Sequence, residues 1–221
     1  MATLDSIRVE PDSPPKAAVI WMHGLGDSGH GFSEYVSYFK LPPELGVRWI
    51  FPHAPERPIT LNGGMVMRGW YDLQELARIR EEDDAGIRES ESLIRELIEE
   101  ARADGIPSNK IVLAGFSQGG AIAFKTVLRY PERLGAIIAL STYLPLGSTV
   151  EAERSEANQS TPILQVHGTH DPVLHISLGT TSRDHLTSLG YSVDWHEYPM
   201  DHSLCMEEIE VVAKTLKSVL S

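Results

Sequence analysis

Ser117, Asp171 and His202 are the residues of this chain whose types and order could carry covalent chemistry. A serine hydroxyl is a weak nucleophile until a neighbouring base takes its proton, and that base works best when a carboxylate holds it in the right tautomer. Ser117 lies in Gly115-Phe116-Ser117-Gln118-Gly119, behind an apolar run and ahead of a helix-like pattern. This is how a serine is presented on a sharp strand-to-helix turn. Gly115 and Gly119 let the backbone turn without a Cβ clash, and the helix start aims amides at developing negative charge. The pattern alone also fits an ordinary strand, turn and helix with no activity. What raises it is that Asp171 and His202 each follow directly on an apolar strand, in the order serine, acid, histidine.

Other candidates exist for two of the roles. His170 stands beside the acid and His167 within a strand, while Asp201 could orient His202 only as a very short-range pair. Asp184 and Asp194 fall inside covering elements and fit less well. Acyl transfer also needs amides aimed at the nascent oxyanion. Gln118, next to the serine, offers one, and the glycine-rich turn His23-Gly24-Leu25-Gly26-Asp27-Ser28-Gly29 offers a second through Leu25. His23 reads as a brace for that turn. A metal site from His23, Asp27 and His30 has loose spacing and no closed ligand set, so neither a metal nor a cofactor is expected. Cys205 reads as a packing residue.

The elements that must position these groups follow from the hydrophobic pattern. Residues 17 to 22 form an uninterrupted apolar run of the kind that a parallel strand covered on both faces shows, and residues 47 to 51, 111 to 116, 134 to 140 and 163 to 168 read as further strands. Residues 191 to 198 alternate as a last strand, and Ile7 and Val9 suggest a short edge strand that Pro11 ends. Helical spacing appears at Phe32 to Phe39, Ile87 to Ala101, Ala121 to Leu128, His175 to Leu189 and Ile209 to Val219. Residues 147 to 160 read as a surface excursion. The long segment from Pro52 to Asp72 has no clean period, carries Asn62-Gly63-Gly64 as a turn signal, and reads either as a functional loop or as a satellite core. Strands alternating with helices predict an α/β fold with a mostly parallel central sheet and helices on both faces, in a single domain over residues 1 to 221.

Composition narrows the partners. A formal net charge of −12 argues against nucleic acid or an anionic membrane, which would attract a basic patch. A single cysteine permits no intrachain disulfide. Neither a secretory leader nor a membrane span is apparent, so cytoplasmic residence without stable membrane insertion is the expectation.

Taken together, His23-Gly24-Leu25-Gly26-Asp27, Asn62-Gly63-Gly64 with Trp70-Tyr71-Asp72, Gly115-Phe116-Ser117-Gln118-Gly119-Gly120, Leu140-Ser141 with Leu144-Pro145, His167-Gly168 with Asp171-Pro172-Val173, and His202 resemble one family. It comprises the small bacterial carboxylesterases and the acyl-protein thioesterases, also described as lysophospholipases, within the α/β-hydrolases. The resemblance spans roughly residues 14 to 220. It implies the compact α/β-hydrolase fold without a separate lid domain, the triad Ser117, Asp171 and His202, and an oxyanion hole from the amides of Leu25 and Gln118. It further implies an apolar acyl groove bordered by residues 61 to 79, with Leu61, Met65, Leu73 and Ile79, and places Tyr143 beside the site. Dimers are common among such enzymes, which allows a homodimer. Two residues depart from the pattern: Arg68 stands where proline is frequent, and Tyr143 where tryptophan is. The expected activity is hydrolysis of short- to medium-chain carboxylic esters through an acyl-serine intermediate; the alternative is an acyl-protein thioesterase or lysophospholipase using the same groups on longer chains.

Overall fold

The computed structural model describes residues 4–74 and 82–221. In chain order the elements are β1 (Ser6–Val9), β2 (Ala17–Met22), α1 (Gly29–Ser33), β3 (Val47–Pro52), β4 (Glu56–Ile59), β5 (Met65–Arg68), α2 (Asp84–Ala103) and β6 (Ile111–Phe116). There follow α3 (Gln118–Arg129), β7 (Ala136–Leu140), α4 (Val150–Glu153), β8 (Ile163–Gly168), α5 (Ile176–Ser188), β9 (Val193–Tyr198) and α6 (Met206–Leu220). Seven strands form one sheet in the order β1-β3-β2-β6-β7-β8-β9. Only β1 runs antiparallel to its neighbour; the other pairings are parallel.

The continuous apolar runs are explained by burial on both faces of the sheet. Because successive side chains point to opposite faces, Ala18, Ile20 and Met22 join one cluster, with Ile94, Leu97 and Ile98 of α2 and Phe124 and Val127 of α3. Ala17, Val19 and Trp21 join the other, with Phe32, Phe39 and Ile209, Val212 and Leu216 of α6. A polar residue in β2 would therefore face one core or the other. Helix α2 starts where the sequence supplies a cap: Asp83 accepts from the Gly86 amide.

Three expectations are corrected. The helix expected over Phe32 to Phe39 is the single turn α1 followed by a 3-10 stretch, Glu34–Phe39. Both Phe32 and Phe39 pack on Trp21, with ring centroids 5.3 and 5.4 Å away, so tertiary contact rather than helical period sets their spacing. The segment from Pro52 to Asp72 contains an antiparallel hairpin, β4 with β5. Gly63 and Gly64 close it at φ of 65° and 80°, values that favour glycine. Residues 147 to 160 are docked rather than draped: Val150 is buried, and Glu153 accepts from Arg88 and Arg129 and lies 3.3 Å from the buried Lys125 ammonium. No helix among the described residues is long and apolar enough to cross a membrane.

The start of α6 holds a buried acid that makes stability depend on pH. Glu208 is wholly buried, and burial pushes the group up from 4.5 to about 8 against a backbone hydrogen bond from Cys205 that acts to lower it. Between those values the unfolded chain has lost the proton that the native state keeps. The stability contribution is thus full below about pH 4.5 and declines as pH rises to about 8. Glu208→Gln should abolish this slope. Melting temperatures at about pH 5 and pH 8 should differ less in the variant than in the parent; parallel curves would show that Glu208 ionises normally.

Candidate active site

Ser117 is the first link between fold and chemistry. Strand β6 delivers it, α3 begins at the next residue, and its backbone is held at φ 54°, ψ −121°. A non-glycine residue there carries strain of roughly 1–3 kcal/mol that its surroundings must offset. The flanking glycines answer to close approach, since neither is among the positive-φ residues. A Cβ on Gly115 would come within 2.2 Å of the Gly119 carbonyl carbon, and one on Gly119 within 2.2 Å of the Met22 carbonyl oxygen. The elbow is therefore pressed directly against the end of β2.

Asp171 and His202 come from the ends of β8 and β9. The buried Asp171 carboxylate accepts the Val173 and Leu174 amides on Oδ1, at 2.9 and 2.8 Å, and His202 Nδ1–H on Oδ2, at 2.7 Å. Because the carboxylate only accepts, Nδ1 carries the ring proton and Nε2 is left as a base. The Phe116 ring lies 4.7 Å from the His202 ring and limits its swing. Ser117 and His202 line the same cavity; no hydrogen bond joins them, and such contacts commonly tighten only when substrate arrives. Of the competing candidates, His167 is buried, with Nε2–H on the Leu174 carbonyl at 2.8 Å and 3.6 Å from Asp171 Oδ2, its burial lowering its basicity, and His202 pairs with Asp171 rather than with Asp201.

The turn after β2 is braced by His23. Its Nε2 accepts the Ala54 amide at 3.0 Å, which leaves the proton on Nδ1 facing the Gly24 carbonyl at 2.7 Å. The ring is buried, and burial lowers its basicity, so it stays neutral and structural. Arg68 adds to the brace: its guanidinium donates to the Ala54 carbonyl and its own carbonyl accepts the Gly26 amide at 2.8 Å. Neither the Leu25 nor the Gln118 amide is engaged by a backbone carbonyl outside the regular elements, and both residues line the cavity.

The cavity holds about 530 Å³. Leu61, Leu73 and Tyr143 line it, as do the unanticipated Tyr71, Val173 and Leu174. The Tyr71 and Tyr143 hydroxyls are 2.9 Å apart, and burial pushes both phenols up. Met65 does not line the cavity: it is 63% exposed, at the start of β5 immediately past the hairpin turn. Ile79 lies outside the described residues. The Gln118 side chain is a further part that the motif gave no hint of. It accepts the Trp70 amide at 3.0 Å and donates to the Tyr71 carbonyl at 2.9 Å, clamping the cavity wall to the elbow. Val173 and Leu174 did carry a signal, an apolar pair just behind the acid at a strand's carboxyl end. Among the described residues, no group of three or more His, Cys, Asp or Glu side chains could hold a metal ion.

Residues 5–220 match the Phospholipase/Carboxylesterase family. Acyl-protein thioesterase 1 of Neurospora crassa is 45% identical over 206 residues, covering 89% of this chain and 84% of that protein. The crystal structure of Arabidopsis thaliana SOBER1 aligns with a TM-score of 0.87 and 32% identity, over 93% of this chain and 99% of the other. That of Zea mays acyl-protein thioesterase 2 aligns with a TM-score of 0.87 and 30% identity, over 98% and 99%.

Proposed function

Because the chain belongs to the phospholipase/carboxylesterase family and is thus a serine hydrolase of ester or thioester bonds, we propose that it is an acyl-protein thioesterase acting through Ser117, Asp171 and His202. The hydrogen bond from His202 to the buried Asp171, facing the strained Ser117 across one cavity, carries the reading. The relatives named as thioesterases support this alternative more strongly than the short- to medium-chain carboxylesterase expected first. An apolar wall of Leu61, Leu73, Val173 and Leu174 favours long chains, since each buried methylene contributes about 0.8 kcal/mol.

In this mechanism Ser117 Oγ attacks the acyl carbon as His202 Nε2 takes its proton, and the amides of Leu25 and Gln118 receive the oxyanion. The carbon–sulfur bond then breaks, and His202 returns the proton to the departing thiolate. Water attacks the acyl-serine with His202 again as base, releasing the carboxylic acid and restoring Ser117. The reading places the enzyme in the cytoplasm, in keeping with a sole cysteine that needs no oxidising compartment, and is compatible with a homodimer. Its net charge of −12 disfavours a nucleic-acid partner.

Turnover of a palmitoyl thioester, lysophosphatidylcholine and short aryl esters by one preparation tests the proposal. The palmitoyl thioester should give the highest kcat/KM. A preference of roughly tenfold or more for the aryl ester, a difference of about 1.4 kcal/mol in transition-state binding, would return the enzyme to the carboxylesterase class.

A further inference from the structure

Strain at Ser117 has to be held by something, and the end of β7 holds it from two sides. The Ser117 amide donates to the Leu140 carbonyl at 2.9 Å, and its carbonyl accepts the hydroxyl of the buried Thr142 at 2.7 Å. The carbonyl also accepts the Ala121 amide, at 3.2 Å. Thr142 is itself delivered by a second strained residue, Ser141 at φ 43°. Its methyl presses on the elbow helix, since a Cβ on Gly120 would lie 2.7 Å from Thr142 Cγ2.

The Ser117 carbonyl and the Gln118 N–H belong to one peptide plane. With no cis peptide bond in the described chain, the two groups point in opposite directions. Whatever fixes the carbonyl therefore fixes the amide. A hydrogen bond to the carbonyl also polarises the peptide and makes its N–H a stronger donor.

We propose that Thr142 is a positioning residue for the oxyanion hole: its hydroxyl locks the Ser117–Gln118 peptide plane and so aims and strengthens the Gln118 amide. This rests on the reading of Ser117 as nucleophile and the Gln118 amide as oxyanion donor. Thr142 touches no reacting atom; it acts only through the plane it holds.

Thr142→Val keeps the shape and removes the hydroxyl, whereas Thr142→Ser keeps the hydroxyl and removes the methyl. Removing an oxyanion donor outright costs roughly 10²–10³-fold in kcat, so misaiming one should cost Thr142→Val roughly 10- to 100-fold. KM should stay within about twofold, because ground-state binding is untouched. Affinity for a trifluoromethyl ketone, which forms an oxyanion on the serine, should fall by the same factor as kcat/KM. Thr142→Ser should stay within about threefold of the parent, and the pH profile of kcat/KM should keep its position, since the Asp171–His202 pair is unchanged.

The proposal is overturned if Thr142→Val turns over like the parent, if Thr142→Ser loses as much as Thr142→Val, or if kcat falls while trifluoromethyl ketone affinity does not. Should Thr142→Val fail to fold, Thr142→Ala takes its place, with the same split between kcat and KM expected. Fluorophosphonate labelling of the parent separates the two levels. An unlabelled Ser117 defeats the underlying reading, while a labelled parent with an unimpaired valine variant defeats only the role of Thr142.

Discussion

Ser117→Ala should lower kcat by roughly 10⁶-fold, the scale on which a serine hydrolase loses its nucleophile. The methyl side chain keeps the Cβ, and with it the contacts of the elbow, while deleting the oxygen proposed to carry the acyl group. Stability should change little. Ser117 Oγ makes no hydrogen bond to His202, and alanine at φ 54° carries the same backbone strain as serine. The measurement is steady-state turnover of the palmitoyl thioester together with a thermal melt. A melt near that of the parent with turnover retained within tenfold would mean that another residue attacks the acyl carbon.

Asp171→Asn should be nearly as damaging, with kcat falling roughly 10⁴-fold and KM changing little. The geometry dictates which way the new amide faces. The Val173 and Leu174 amides already donate to Oδ1, so the asparagine must keep its oxygen there and present its NH₂ to His202. Imidazole Nδ1 must then accept, the ring proton moves to Nε2, and the base that should take the Ser117 proton no longer has a lone pair for it. The loss is one of tautomer, not of architecture. A kcat within tenfold of the parent would show that another carboxylate, Asp201 first among them, orients His202.

Local and medium-range patterns made much of this legible. The run into Ser117, the strand before Asp171, the alternating strand before His202, and the glycine-rich turn after β2 each announce themselves within a window of ten residues. The chemistry demands residue types that can be recognised at those positions. What stayed hidden depends on partners far apart in the chain. Gln118 is named by the motif for its amide, yet its side chain reaches residues 70 and 71, about which a strand-to-helix turn says nothing. Phe32 and Phe39 imitate helical spacing because both reach Trp21. Met65 looks like Leu61 and Leu73 as an apolar residue of one segment, but of the three only Leu61 and Leu73 line the cavity, and Met65 in the hairpin is largely exposed. Thr142 has no local signature at all, because its acceptor lies on the neighbouring strand's turn.

The covalent intermediate is the claim on which the rest depends, and mapping the site of fluorophosphonate modification tests it most directly. Folded parent protein should gain one phosphonyl group, found on the peptide containing Ser117, with turnover lost in proportion; Ser117→Ala should gain none and Asp171→Asn should react slowly. A folded, active parent that is not modified at Ser117 would contradict the assignment of Ser117 as the nucleophile.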